Sequence, residues 1–405
     1  METKRIGGAT GFDISVVGIG CNAFGRRLDE ESSRPVIHAA LDAGITFFDT
    51  AEIYGDGLSE EFIGRALDGR RDEVILATKF GLRTINVPGK ARGSRANAMA
   101  AVDKSLKRLR TDHIDLYQFH MPDPTVPIAD TLEVMNDMVI AGKVRLIGCS
   151  NFSAAQMREA IKTAREMGIK SFVTAQNQWS VLDRDIEEYL VPVCSENSIG
   201  ILPYYPLAKG LLTGKYRRNE VAPDGSRLAG SSDLSGADFD VLEALAAFAT
   251  ARGFNLLTLA VSWLASQPTV VSVISGAARA DQLTQNVAAA GWKITADDLA
   301  QIDRIVGRSD NRTKLRCCDV TRAPRLRACP PRSRPATRSW QSERTAASYS
   351  LGEVGVGTRP DEAWGFWTRP RSSSSAMVLR MLADESAIGS RCETMVDETG
   401  SASAT

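Results

Sequence analysis

The 405-residue chain has few histidines, no net charge and no long apolar run, and each shortage argues against a class of protein. Its three histidines, His38, His113 and His120, do not make a ligand set, so no metal is expected. The 49 basic and 49 acidic residues balance, which argues against nucleic acid or a membrane surface as a partner. No segment approaches the roughly 18 apolar residues of a membrane span, and the first residues lack the apolar core of a secretory signal. We therefore expect a cytoplasmic protein.

Cysteine is also sparse, with seven residues and no C-x-x-C pair. Cys21, Cys149 and Cys194 lie far apart in apolar segments. We interpret them as free buried thiols rather than as disulfide partners or metal ligands.

The amino-acid composition and the hydrophobic pattern of the sequence change near residue 308. Residues 1–308 alternate short apolar segments with helical ones, and this length suits one α/β barrel. Residues 309–405 are rich in Arg, Pro and Ser and show no hydrophobic period, so we predict a disordered tail. Translation out of the native frame would produce such a composition, and a functional basic arm is the alternative.

Eight short apolar segments within residues 1–308 read as strands separated by helices. They lie at residues 16–20, 46–50, 74–79, 114–120, 144–150, 173–177, 200–205 and 271–276, after a hairpin at residues 5–15. Helix one is expected from Ser33 to Ala43, closed by Gly44, and helix three follows the N-cap Ser94. Nearly continuous apolar strands joined by helices predict parallel pairing and a sheet buried on both faces. The fold prediction is an α/β (β/α)8 TIM barrel with an N-terminal β-hairpin.

Polar residues end five consecutive strands of this predicted barrel: Asp49, Lys79, His120, Ser150 and Gln176. In a barrel those ends converge on one face, where active sites are built. A charged residue closing an apolar strand is costly unless it is paired. We therefore interpret the five residues as one functional set rather than as five solvated strand ends.

Tyr54 follows Asp49 by five residues and can fold back over the strand ends. An Asp49–Lys79 ion pair would offset the cost of burying either charge. A phenol with an ordinary pKa of about 10 is a weak acid, and a neighbouring ammonium is expected to bring that pKa toward neutrality. His120 could donate a hydrogen bond to a carbonyl oxygen.

Several segments resemble the aldo-keto reductase family, in order, over residues 4–306. They are Phe47–Gly55, Thr78–Gly81, Ser105–Leu109, Asp112–His120 and Gly142–Phe152. The resemblance implies reduction of an aldehyde or ketone by NADPH without a metal. It implies that Tyr54 is the general acid, that Lys79 activates it, that Asp49 pairs with Lys79, and that His120 orients the carbonyl.

The resemblance also implies where the cofactor binds. Ser150, Asn151 and Gln176 would hold the nicotinamide carboxamide, with Tyr204 stacked on the ring. The segment that contains Leu207 and Lys209 resembles the loop over the pyrophosphate, and the adenosine-phosphate site would include Gly276, Ala277, Arg279, Gln282 and Asn286. Two residues depart from the family pattern: Ser275 stands where Pro is usual, and Ala278 where a basic residue is frequent. Arg279 is then the single nearby cation for a 2′-phosphate, the feature that favours NADPH over NADH.

Rival interpretations of the same motifs can be weighed. Gly18–Ala23 fits the G-x-G-x-x-A dinucleotide pattern, but a helix should open at its second glycine and none is expected before Ser33. Tyr205 and Lys209 match Y-x-x-x-K, but Pro206 argues against the helix which that pair requires. A cofactor-binding regulatory subunit with little turnover and a barrel with a Schiff-base Lys79 remain alternatives. The sequence specifies neither the individual carbonyl compound nor the oligomeric state.

Overall fold

The computed structural model describes residues 1–82, 86–224 and 226–307. The tail prediction for residues 309–405, and the domain boundary at 308, lie outside these described residues. No helix of the described part is long and apolar enough to cross a membrane.

An N-terminal hairpin packs against the inside of the barrel. Strand β1 (Thr3–Ile6) pairs antiparallel with β2 (Phe12–Ser15), as the sequence predicted. Ile6 and Ile14 of the hairpin are buried among apolar side chains inside the barrel. Lys4 Nζ donates to two carbonyl oxygens far along the chain, those of Ala265 at 2.7 Å and Val270 at 2.8 Å. The hairpin is therefore bonded to the C-terminal part of the barrel.

Eight parallel strands form the barrel, which confirms the predicted fold class. They are β3 (Val17–Gly20), β4 (Phe47–Asp49), β5 (Ile75–Phe80), β6 (Ile114–Phe119), β7 (Val144–Ser150), β8 (Thr174–Gln178), β9 (Gly200–Tyr204) and β10 (Val273–Gly276). From β3 to β9 each strand pairs with the next in the chain, and β10 pairs with β3. A parallel bridge between Ile201 and Val270 joins the segments of β9 and β10. The sheet has no long exposed edge, which removes a site for unwanted strand pairing.

The helices of the described part lie outside the strands. They are α1 (Glu30–Asp42), α2 (Leu58–Ala66), α3 (Arg95–Leu109), α4 (Ile128–Ile140), α5 (Ala154–Met167), α6 (Ile186–Glu196), α7 (Ser232–Ser235), α8 (Phe239–Thr250), α9 (Leu256–Ala265), α10 (Ala280–Ala288) and α11 (Ala296–Ile305). Helix α1 begins three residues before the predicted Ser33, because the Asp29 carboxylate accepts the Ser32 N–H at 2.9 Å and caps it there. Gly44 follows α1 with φ 79°, and Ser94 caps α3, as expected.

The strands are buried on both faces because helices cover the outside and side chains fill the inside. The larger core cluster lies between sheet and helices and includes Phe48, Tyr117 and Ile147. A smaller cluster inside the barrel includes Phe47 and Leu116. This packing leaves the C-terminal strand ends as the place where polar side chains meet.

Candidate active site

An ion pair lies at the C-terminal ends of two neighbouring strands. Asp49 ends β4 and Lys79 is the last residue but one of β5, so parallel pairing brings the two side chains together. Lys79 Nζ donates to Asp49 Oδ2 at 2.6 Å and to the Thr50 carbonyl oxygen at 2.8 Å. Lys79 Nζ also lies 3.5 Å from the Tyr54 hydroxyl oxygen. The structure therefore places Asp49, Lys79 and Tyr54 in one contacting group.

Two glutamines hold the second oxygen of the Asp49 carboxylate. Gln118 Nε2 donates to Asp49 Oδ1 at 3.2 Å, and Gln176 Nε2 donates to the same atom at 2.9 Å. Sequence reasoning missed Gln118, an amide within an apolar strand, which the strand register places opposite Lys79. It assigned Gln176 to a carboxamide and did not foresee this bond. With both oxygens bonded, the buried carboxylate is fixed in one orientation.

The electrostatics of Tyr54 differ from the sequence expectation. Burial raises the pKa of Tyr54 above 10, and the nearby Lys79 ammonium offsets only part of that effect. The predicted fall of the Tyr54 pKa is therefore absent, because burial destabilises the phenolate more than one ammonium at this distance stabilises it. For Lys79, burial lowers the pKa, but Asp49 and Tyr54 together outweigh burial and raise it. Lys79 is thus a cation and Tyr54 a neutral phenol at pH 7.

His120 follows β6 and faces Tyr54. The two rings meet edge to face, with centroids 6.2 Å apart and an interplanar angle of 84°. Burial, with a smaller effect of Lys79, holds the pKa of His120 well below 6.5. Its buried Nδ1 has no hydrogen-bond partner within the described ranges. The imidazole is therefore neutral, and its Nδ1 is not bonded by any group of the described part of the chain.

The next two strand ends form a continuous hydrogen-bonded group beside His120. Asn151 Nδ2 donates to the His120 carbonyl oxygen at 3.0 Å and to Ser150 Oγ at 3.0 Å. Ser150 Oγ donates to the Gln176 carbonyl oxygen at 2.9 Å. The Tyr204 hydroxyl, at the end of β9, donates to Asn151 Oδ1 at 2.9 Å. Four of the residues assigned to the nicotinamide are thus brought together, and Asn151 adopts φ 62° to join them.

The segment after β9 contains Leu207 and Lys209 and has an unusual backbone. Tyr205, Ala208 and Lys209 have φ values of 53°, 45° and 58°, all in the left-handed region. No continuous helix runs through Pro206, in agreement with the rejection of the Y-x-x-x-K interpretation. Lys209 Nζ binds Asp233 Oδ2 at 2.5 Å. A cofactor phosphate would have to compete with that carboxylate for Lys209.

The residues assigned to the adenosine phosphate lie at the end of β10 and the start of α10. Gly276 is exposed and ends the strand, whereas Ala277 is buried. Gln282 Oε1 accepts the Ala278 N–H at 2.8 Å, so it caps the helix start. Asn286 lies one turn further along α10 and is buried. Arg279 is exposed and bonds Asp281 through Nη2 at 2.8 Å, and Asp281 raises its pKa.

Glu52 was not singled out in the sequence, although it lies two residues before Tyr54. It is buried, with Oε1 accepting the Gly81 N–H at 2.8 Å and Oε2 accepting Asn86 Nδ2 at 2.6 Å. Burial raises its pKa to about 7, against the opposing effect of these two bonds. Glu52 therefore connects the Tyr54 segment to the segment that follows β5.

The described residues contain no group of three or more His, Cys, Asp or Glu side chains that could hold a metal ion. Cys21, Cys149 and Cys194 are buried and free. Burial raises the pKa of each thiol, to about 12 for Cys194. They are therefore unreactive as thiolates at neutral pH.

Comparison with known proteins agrees with this architecture. A family model described as "Aldo/keto reductase family" matches residues 16–306. The chain is 39% identical over 313 residues to "Aldo-keto reductase YhdN" of Bacillus subtilis (strain 168), a match covering 73% of this chain and 91% of that protein. It is also similar to the solved structure of aldo-keto reductase AKR11C1 from Bacillus halodurans (holo form), with a TM-score of 0.64 and 30% identity, over 77% of this chain and 99% of that one. The chain therefore belongs to the aldo/keto reductase family, whose members generally reduce carbonyl groups with NAD(P)H.

Proposed function

We propose that this protein reduces an aldehyde or ketone to an alcohol with NADPH, and that Tyr54 is the general acid. The observation on which the proposal depends is the contact of the Lys79 ammonium with both the Asp49 carboxylate and the Tyr54 hydroxyl. NADPH supplies the hydride when it is bound. The protein then has to supply a proton to the carbonyl oxygen as negative charge develops on it.

The donor capacity of the Lys79 ammonium indicates whether the Tyr54 hydroxyl donates or accepts in their hydrogen bond. An ammonium has three N–H groups and no acceptor. Its three neighbours are Asp49 Oδ2, the Thr50 carbonyl oxygen and the Tyr54 hydroxyl oxygen. Tyr54 therefore accepts from Lys79 and keeps its own hydrogen for a different partner, which supports donation to substrate.

The raised pKa of Tyr54 is compatible with this role. An acid must be protonated before the reaction, and a phenol with a pKa above 10 is protonated throughout the physiological range. When the proton leaves, the phenolate forms 3.5 Å from a cation that cannot move, since Asp49 and Thr50 hold it. This arrangement favours the transition state more than the ground state, as catalysis requires.

His120 is proposed to orient the carbonyl oxygen. As a neutral imidazole it has one N–H donor and one acceptor. A neutral ring adds no second positive charge beside Lys79. The edge-to-face contact of the two rings keeps the tyrosine hydroxyl and the imidazole on one side of the barrel.

The residues present fit a nicotinamide dinucleotide. Lys209 in the segment after β9 supplies a cation for the pyrophosphate, provided that a phosphate replaces Asp233 as its partner. Tyr204 would stack on the nicotinamide, and Ser150, Asn151 and Gln176 would surround its carboxamide. Arg279 supports the choice of NADPH, since a 2′-phosphate could replace Asp281 as the partner of its guanidinium.

The test is oxidation of NADPH by the purified protein with a panel of simple aldehydes and ketones. Tyr54→Phe is expected to bind NADPH as the wild type does and to lose about 100- to 10,000-fold in kcat. Tyr117→Phe is the matched control, because it removes a phenol hydroxyl elsewhere in the barrel, where Tyr117 stacks on Phe80 at 4.9 Å. Unchanged turnover in Tyr54→Phe would remove Tyr54 from the role of acid. NADPH binding without turnover of any carbonyl would favour the regulatory subunit instead.

A further inference from the structure

A tight turn after β3 presents two arginines beside the Tyr54 segment. The Ala23 carbonyl oxygen accepts the N–H groups of Arg26 at 3.3 Å, Arg27 at 2.9 Å and Leu28 at 3.0 Å. The Gly25 N–H donates to the Leu28 carbonyl oxygen at 2.8 Å, which closes the turn. Arg26 and Arg27 thus project from a backbone that hydrogen bonds hold in place.

This turn packs directly on the residue that follows Tyr54. A Cβ atom placed on Gly55 would lie 2.8 Å from the backbone of Gly25, which is closer than real Cβ contacts. Gly55 has φ 58° and Gly25 has φ 74°, so both positions favour glycine. The close approach fixes the arginine turn relative to the tyrosine proposed as the acid.

A third arginine comes from the segment after β9. The Leu228 N–H donates to the hydroxyl of buried Tyr216 at 3.1 Å, which anchors the neighbouring Arg227. The Arg227 guanidinium lies 5.3 Å from the centre of the Tyr205 ring. The Tyr205 ring in turn meets the Tyr204 ring edge to face at 5.3 Å. Arg227 therefore lies beside aromatic rings that border the nicotinamide residues.

Packing brings both arginines to the site: the turn of Arg27 contacts Gly55, next to Tyr54, and Arg227 lies on the Tyr205 ring, which contacts Tyr204. Partial burial lowers the pKa of Arg27, and the positive charges of Arg227 and Arg26 lower it further. Both Arg27 and Arg227 nevertheless keep part of their surface in solvent, so an anion can reach them. Like charges held close by separate segments repel one another, and an anion placed between them relieves that repulsion.

We propose that the carbonyl substrate carries a carboxylate, and that Arg27 and Arg227 bind it at the mouth of the site. This inference rests on the proposed function, since it concerns the substrate of the same site. A guanidinium presents paired N–H donors that match a carboxylate, and two of them from different segments would fix the far end of the substrate while its carbonyl meets Tyr54. The Tyr205 ring, against which Arg227 lies, supplies an apolar surface for the body of the substrate.

The test compares two aldehydes of the same shape, 4-carboxybenzaldehyde and its uncharged amide, 4-formylbenzamide. We expect the wild type to prefer the carboxylate, with a preference that weakens as ionic strength rises. The kcat/KM for 4-carboxybenzaldehyde divided by that for 4-formylbenzamide is expected to fall about 10-fold in Arg27→Gln and about 10-fold in Arg227→Gln. Lysine at either position should restore part of the ratio. Arg158→Gln removes an exposed charge from α5 and should leave the ratio unchanged.

Binding of the product analogue 4-(hydroxymethyl)benzoate, measured by calorimetry, gives a readout that needs no turnover. Weaker binding in Arg27→Gln and Arg227→Gln than in the wild type supports the proposal. An equal ratio in wild type and variants overturns it. A raised KM for NADPH with an unchanged ratio also overturns it, because the arginines would then serve a cofactor phosphate. Absence of turnover of both aldehydes would instead defeat the proposed function, and the calorimetric result would still decide whether this surface binds a carboxylate.

Discussion

Replacing Lys79 by Met is expected to destabilise the barrel strongly, because it leaves a carboxylate buried without its cation. The Lys79 side chain is 0% exposed and that of Asp49 is 3% exposed, so solvent cannot take the place of the lost ammonium. Breaking a buried pair from one side costs about 3–5 kcal/mol. In a chain of this size that lowers the melting temperature by on the order of 10 °C. Urea unfolding followed by circular dichroism, with a thermal scan beside it, measures both quantities.

The double variant Asp49→Asn/Lys79→Met isolates the charge effect. The Asn carbonyl oxygen can still accept from Gln118 and Gln176, and no buried charge remains, so about 2 kcal/mol of the loss should return. Arg71→Met is the matched control, since it removes a partner of buried Asp115 but leaves Arg145 at 3.1 Å. It should cost less than about 2 kcal/mol. The reasoning is refuted if Lys79→Met loses less than the control, or if the double variant is no more stable than the single one.

Three further outcomes follow from the site. Burial raises the pKa of Glu52 from 4.5 to about 7, so the contribution of its protonated form to stability is full below about pH 4.5 and is lost as pH rises through 7. Between pH 4.5 and pH 8 the free energy of unfolding of the wild type, from urea titrations, should therefore fall by about 3 kcal/mol relative to that of Glu52→Gln. Parallel stability curves for the two proteins would contradict this. The low pKa of His120 predicts that its ring proton resonances stay unshifted between about pH 5.5 and 8 in NMR titrations, and a midpoint near 6.5 would contradict it. Gly55→Ala should cost about 2 kcal/mol and lower kcat, because its Cβ meets the Gly25 backbone, and a fully stable variant would show that the turn can move away.

The sequence predicted the barrel well because each strand is a short apolar run with a polar residue at its end. Strand boundaries shifted by one or two residues, and the last strand begins at Val273 rather than 271. Helix α1 was predicted to begin at Ser33, three residues late, because the N-cap at Asp29 was not recognised. The sequence alone does not show that the Asp29 carboxylate turns back to accept the Ser32 N–H.

The members of the site could be predicted, but their electrostatics could not. Asp49, Lys79 and Tyr54 meet as the strand order requires, and this follows from sequence alone. The pKa of Tyr54 was expected to fall and instead rises, because the depth of burial depends on the packing of surrounding loops. Gln118 was missed because a single amide in an apolar strand gives no indication of its partner. Only the strand register places it beside the Asp49 carboxylate.

The pairing of β10 with β3 has a consequence for how the protein is made. Residues near position 18 can pair only after residues near position 274 have been synthesised, and the hydrogen bonds of Lys4 require the carbonyl groups of residues 265 and 270. During synthesis the first strand emerges long before its neighbour, so one side of the growing sheet stays open on the ribosome until β10 has left the tunnel. A nascent chain halted before β10 would therefore present that open side to chaperones or to other nascent chains.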